Sequence, residues 1–115
     1  MASYYISMRV AENLQANRTF YQDRGDDEGL RKFELWLFSS LRRIAAVPER
    51  GSQIAEMPST HKRMRFEPAF FYYRTGRKDE VPLIYWIKWD GQGKNYRPSG
   101  LERIATEAAK ERQSR

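Results

Sequence analysis

The segment at 81–89, Val81-Pro82-Leu83-Ile84-Tyr85-Trp86-Ile87-Lys88-Trp89, is apolar on both sides of a two-residue alternation. A strand shows successive side chains to opposite faces. Apolar residues on both faces therefore mark a central rather than an edge strand. The alternation predicts Val81, Leu83, Tyr85, Ile87 and Trp89 on one face, with Ile84, Trp86 and Lys88 on the other. Pro82 has no N–H, so it must stand where no ladder donor is needed.

The other elements are arranged around that strand. Residues 4–10 alternate, with Tyr4, Ile6, Met8 and Val10 on one side, and read as a strand. Residues 12–22 read as a short helix carrying Leu14, Arg18 and Tyr21. Asp23-Arg24-Gly25-Asp26-Asp27 breaks the pattern, and Asp26 or Asp27 is placed to cap the next helix. Residues 28–46 carry Leu30, Phe33, Leu37, Leu41 and Ile44 at helical spacing, with Phe38 and Ala45 widening the stripe. Val47-Pro48 stops this helix, since proline disfavours the helical shape of the residue before it.

Residues 49–60 read as a loop, with a single helical turn at 54–57. Strands follow at 62–66, with Met64 and Phe66 inward, and at 69–74, joined through Glu67-Pro68. Ser99-Gly100-Leu101-Glu102 has the spacing of a capping box and opens a last helix with Leu101, Ile104, Ala105 and Ala108 on its apolar side. Residues 111–115 are expected to fray. The predicted architecture is one α+β domain over residues 1–115. It has a curved antiparallel sheet of about four strands packed against helices, with a C-terminal helix. The predicted core joins Ile6, Met8, Phe33, Leu37, Leu41, Phe66, Leu83, Tyr85 and Ile87.

Composition narrows the chemistry. The 115 residues include no cysteine and one histidine. That excludes disulfides, thiolate metal sites and a cysteine nucleophile. His61 sits beside Lys62, where positive neighbours would keep it neutral as a base requires; no nucleophile stands at a readable spacing from it, and the expectation is a surface-loop histidine rather than a catalytic one. Asp23, Asp26, Asp27 and Glu28 are too irregularly spaced for a metal loop and suit capping and solvation, so no metal and no cofactor is expected. No apolar run has the length of a signal peptide or a membrane span, so a cytoplasmic location and no membrane partner are expected.

The net charge is +6 and unevenly spread. Residues 1–30 hold three basic and five acidic side chains, whereas residues 62–97 hold nine basic and four acidic. A basic half steers a protein toward nucleic acid or toward an acidic protein. Within it, Arg63 and Arg65 share one side of a strand, and their planar forks suit carboxylate or phosphate. Tyr72 and Arg74 interleave aromatic and basic groups. Trp86 and Lys88 share a face of the central strand, and Arg97 extends the basic stretch.

The order of elements resembles the small bacterial toxin superfamily of RelE and ParE type. The likeness begins at residues 4–14, continues through the helix that ends at Val47-Pro48, and is sharpest over Arg65-Phe66-Glu67-Pro68-Ala69-Phe70-Phe71-Tyr72-Tyr73-Arg74. Family members often carry an arginine where this chain has Phe70, and a histidine where it has Lys88 or Trp89. The resemblance implies a toxin-like fold, and these departures imply that it binds and inhibits a bacterial host protein or complex without catalysis, as a phage or mobile-element inhibitor would. The surface expected to bind an acidic host protein is Arg63, Arg65, Tyr72, Arg74, Trp86, Lys88 and Arg97. Two alternatives stand beside it. One is a metal-free RNA endonuclease acting on free RNA or the ribosome, with Arg63, Arg65, Arg74, Lys88 and Tyr96 carrying the chemistry. The other is a nucleic-acid-binding accessory protein.

Overall fold

The structure is a computed structural model, which describes residues 4–76, 81–91 and 98–113. The elements run β1 (Tyr5–Ile6), α1 (Met8–Asp23), α2 (Asp27–Ala46), a 3-10 turn (Pro48–Arg50), β2 (Ser52–Gln53), β3 (His61–Phe66), β4 (Ala69–Arg74), β5 (Leu83–Trp89) and α3 (Pro98–Gln113). The strands lie in the order β1-β5-β4-β3-β2. The Ser99 capping role falls on a side chain outside the described residues, as does the fraying expected at 114 and 115.

The sheet corrects the expected architecture. It has five strands rather than about four, it is mixed rather than antiparallel, and it is not strongly curled. β1 runs parallel to β5, while β2–β3, β3–β4 and β4–β5 are antiparallel. Short connections force antiparallel neighbours, but β1 and β5 are far apart in the chain and are free to pair in parallel. The extra strand is β2, two residues pairing with Lys62 and Arg63.

The first strand is also shorter than its alternation predicts. Ser7 ends it: the Ser7 hydroxyl accepts a hydrogen bond from the Val10 N–H at 3.2 Å, the signature of a helix N-cap. Residues 8–10 therefore begin α1. Val10 and Leu14, one turn apart, enter the core together, and Met8 is left about half exposed at 49%.

Helices cover both faces of the sheet. On one side Val10 and Leu14 of α1 and Phe33, Leu37, Leu41 and Ile44 of α2 pack with Ala69, Phe71, Tyr73, Ile84 and Ile87. On the other, Leu101, Ile104, Ala105 and Ala108 of α3 pack with Tyr72, Leu83 and Tyr85, and with Ile54 and Met57 from the loop before β3. The single core expected from the sequence is thus two cores separated by the sheet. Asp26 caps α2 by accepting from the Gly29 N–H at 2.8 Å. The expected stripe of α2 is narrower than predicted, since Phe38 faces outward.

The division of β5 between these cores has a local cause. Tyr72 pairs with Trp86 but Tyr73 pairs with Ile84, so β5 carries one extra residue at Tyr85. Such a bulge reverses the alternation beyond it. Leu83 and Tyr85 face α3, whereas Ile87 and Trp89 face α1 and α2. The sequence reading, which kept all four on one face, had the right strand and the wrong phase over its second half.

Candidate functional site: a basic and aromatic sheet face

Three side-chain rows cross the α3 side of the sheet. The two-residue Glu67-Pro68 connection, whose peptide bond is cis, sets Phe66 opposite Ala69 and so Arg65 opposite Phe70. Phe70 in turn lies opposite Lys88. The first row is therefore Arg65, Phe70 and Lys88, and the second is Arg63, Tyr72 and Trp86. The third is His61, Arg74 and Leu83. Six of the expected binding residues, Arg63, Arg65, Tyr72, Arg74, Trp86 and Lys88, thus share one face. Tyr96 and Arg97 lie outside the described residues.

α3 divides this face. It packs on the third row and the bulge, where Leu83, Tyr85 and Tyr72 are buried. At the other end Arg65 is exposed, and Arg63, Phe70, Trp86 and Lys88 are half-buried. The Arg63 guanidinium lies 4.7 Å from the centre of the Phe70 ring and that of Arg65 lies 5.0 Å from it. Both are within cation–π range. Tyr72 is buried, contrary to its role as an open aromatic contact, and its hydroxyl lies 3.5 Å from Arg63 Nη1.

The two arginines are not equivalent. Arg65 donates to both carboxylate oxygens of Asp90, at 2.9 and 2.6 Å. This fork-to-fork geometry holds the Asp90 carboxyl below the usual carboxylate range and raises Arg65, the hydrogen bond being the main cause of both shifts. Among the described residues Arg63, Arg74 and Lys88 form no ion pair. Phe70 as a platform and Asp90 as a partner escaped the sequence reading. A two-residue hairpin connection fixes register, so the pairing of residues 65 and 70 was available from the chain; the Arg65–Asp90 contact, made across three strands, was not.

His61 is a buried strand residue, not a loop histidine. Its Nδ1 lies 3.1 Å from the Tyr85 hydroxyl. Burial lowers its pKa first and Arg74 lowers it further, while Glu102 on α3 opposes them. Burial chiefly raises that of Tyr85, so this hydroxyl stays protonated at neutral pH. The pair is a hydrogen bond under α3, away from the open rows. It also sets a pH dependence. Unfolded His61 takes up a proton near pH 6.5, and folded His61 resists until a lower pH. Stability should be highest above that value and fall as the pH drops through it toward the lowered folded pKa. Denaturant midpoints at pH 7 and pH 5 should differ less in a His61→Gln variant than in the wild type; an equal difference would assign the loss to carboxylates.

The remaining tryptophans are held structurally. Trp36 donates from Nε1 to the Glu67 carbonyl at 2.9 Å, tying α2 to the β3–β4 hairpin. Trp89 donates from Nε1 to Asn13 Oδ1 at 2.9 Å. Trp86 lines a cleft of about 330 Å³ with Arg9, Val10, Glu12, Asn13 and Ile87. The acidic stretch before α2 is used locally, Asp26 as the cap and Glu28 beside Arg31 and Lys32. Among the described residues no three His, Asp or Glu side chains gather as a metal site, and no helix is long and apolar enough to cross a membrane.

The open rows can hold an anionic group by guanidinium and ammonium contacts over an apolar floor. Comparison with models of known protein families finds no match for the chain, and comparison with curated proteins finds none either.

Proposed function

We propose that the chain is a non-catalytic binding protein whose open sheet face docks an acidic surface of a partner protein, and that the partner is a bacterial host component it inhibits. The observation that carries the reading is the pairing of cations unbridged among the described residues, Arg63 and Lys88, with the half-buried rings of Phe70 and Trp86 on one face. Charge steers association, and a partly buried aromatic floor supplies the apolar contact that charge lacks. The toxin-like order of elements points toward a bacterial target.

RNA is the less favoured ligand on a specific ground. RNA-binding sheets present open rings on which bases stack. Here arginines lie over Phe70, and Tyr72 is buried. Of the residues of the nuclease alternative, Arg65 is engaged by Asp90, and Tyr96 lies outside the described residues.

The test is capture from a bacterial lysate treated with nucleases, using the wild type and an Arg63→Glu/Lys88→Glu variant verified as folded. The expected result is a stoichiometric acidic protein held by the wild type, with association slowed by about tenfold or more in the variant at low salt and less at high salt. The purified chain should inhibit that protein's own activity and leave RNA intact. A partner equally held by the variant, or RNA cleavage lost in Arg63→Ala, would overturn the reading.

A further inference from the structure

Asp90 already does to Arg65 what a partner's carboxylate would do. It follows β5 directly, its N–H donates to the Pro68 carbonyl at 2.8 Å, and its side chain takes both forks of Arg65. The pair is solvent-accessible, with side-chain exposures of 42% and 47%. Both groups are open to solvent, so an incoming carboxylate can reach the bidentate pair and exchange with it. Arg65 stands two strands from Lys88 in the first row, about 10 Å away across the sheet, and beside Arg63 on β3.

We propose that Asp90 is a tethered competitor: it occupies the Arg65 seat in the free protein and yields it to a carboxylate side chain of the partner. The free face then offers Arg63 and Lys88 as the steering charges. Arg65 is added only when an aspartate or glutamate of the partner exchanges with Asp90. The exchange conserves the number of charge-assisted hydrogen bonds when the incoming group presents two oxygens to the guanidinium, as the carboxylate of an acidic protein does. It also makes the resting face less attractive to anions in general than its arginine content suggests. This inference rests on the reading of the face as an acidic-protein site and adds to it the group recognised and the contact that restrains it.

The probe is poly-L-glutamate, with a single-stranded poly-uridine RNA as the phosphate comparison, and the readout is affinity at low salt. Asp90→Asn should bind poly-L-glutamate roughly two- to five-fold tighter than the wild type. Glu67→Gln removes one negative charge from the exposed β3–β4 turn without freeing a fork, and should give a smaller gain. Asp90→Ser, which lacks the amide, should repeat the Asp90→Asn result. Equal gains for Asp90→Asn and Glu67→Gln would mean net charge alone and would overturn the competitor role, as would no gain. A larger gain for poly-uridine than for poly-L-glutamate would overturn the carboxylate selectivity. The parent reading fails separately, if Arg63→Glu/Lys88→Glu leaves poly-L-glutamate binding unchanged.

Discussion

Replacing Phe71 with alanine should cost about 3–5 kcal/mol, the usual range for emptying a buried aromatic site. Phe71 lies in the middle of β4 and is fully buried. Its ring stands 5.5 Å from that of Trp36 on α2 and 5.6 Å, edge to face, from that of Phe66 on β3. It therefore joins the helical layer to two strands at once. The neighbours cannot close the gap cheaply. Trp36 is held at its far end by its hydrogen bond to the Glu67 carbonyl, and Phe66 by its place in the hairpin. A domain of this size is stable by about 5–15 kcal/mol in total, so the loss is a large fraction of the whole. Urea denaturation followed by tryptophan fluorescence reads it directly. The paired control is Phe38→Ala on the outer side of α2, where the ring is 44% exposed; this change should stay within about 0.5 kcal/mol. Similar midpoints for the two variants would remove Phe71 from the core.

Elements whose signals are local were legible in the chain. The long helix shows in the spacing of Phe33, Leu37, Leu41 and Ile44 and in Asp26 or Asp27 at its start. Those residues pack in one core, and Asp26 makes the cap. The hairpin shows in the alternation of residues 62–66 and in the aromatic run at 69–74, with Glu67-Pro68 between them. What failed depended on competition or on distance. At residues 4–10 a strand pattern and a helix pattern overlap, since Ile6, Val10 and Leu14 satisfy a four-residue spacing as well as an alternating one. A single hydroxyl, that of Ser7, decides between them.

The bulge at Tyr85 leaves no composition signal. Tyr72, Tyr73, Tyr85 and Trp86 are all good strand residues, and the slip is visible only in how β4 and β5 pair. The parallel β1 and the placing of α3 opposite α1 and α2 are likewise properties of the assembled sheet. For the site, periodicity puts Arg63 with Arg65 and Trp86 with Lys88, but it is the bulge that brings the second pair onto the α3 side. Which cations are already satisfied is not legible: Arg63 and Arg65 look alike in the chain and differ by one contact with Asp90.

Ile104→Ala should be nearly as damaging as the loss of Phe71, by about 2–5 kcal/mol, and it should leave an electrostatic trace. Leu101, Ile104, Ala105 and Ala108 form the inner line of α3, and Ile104 is the largest side chain in its centre. The alanines let the helix lie close on Leu83 and Tyr85, so little else can fill the space Ile104 vacates. A loosened α3 admits water to the His61–Tyr85 pair. Burial is the first cause of the lowered His61 pKa, so hydration should move it upward. The return is partial, because Arg74 stays on the sheet and continues to lower it, and Glu102 leaves with the helix and no longer raises it. His61 is the only histidine in the chain, so its ring protons give one unambiguous NMR titration. The expected result is a lower melting temperature together with an upward shift of that titration. A lower melting temperature with an unmoved titration would mean that Ile54 and Met57, which flank the same core, keep water from His61 without α3.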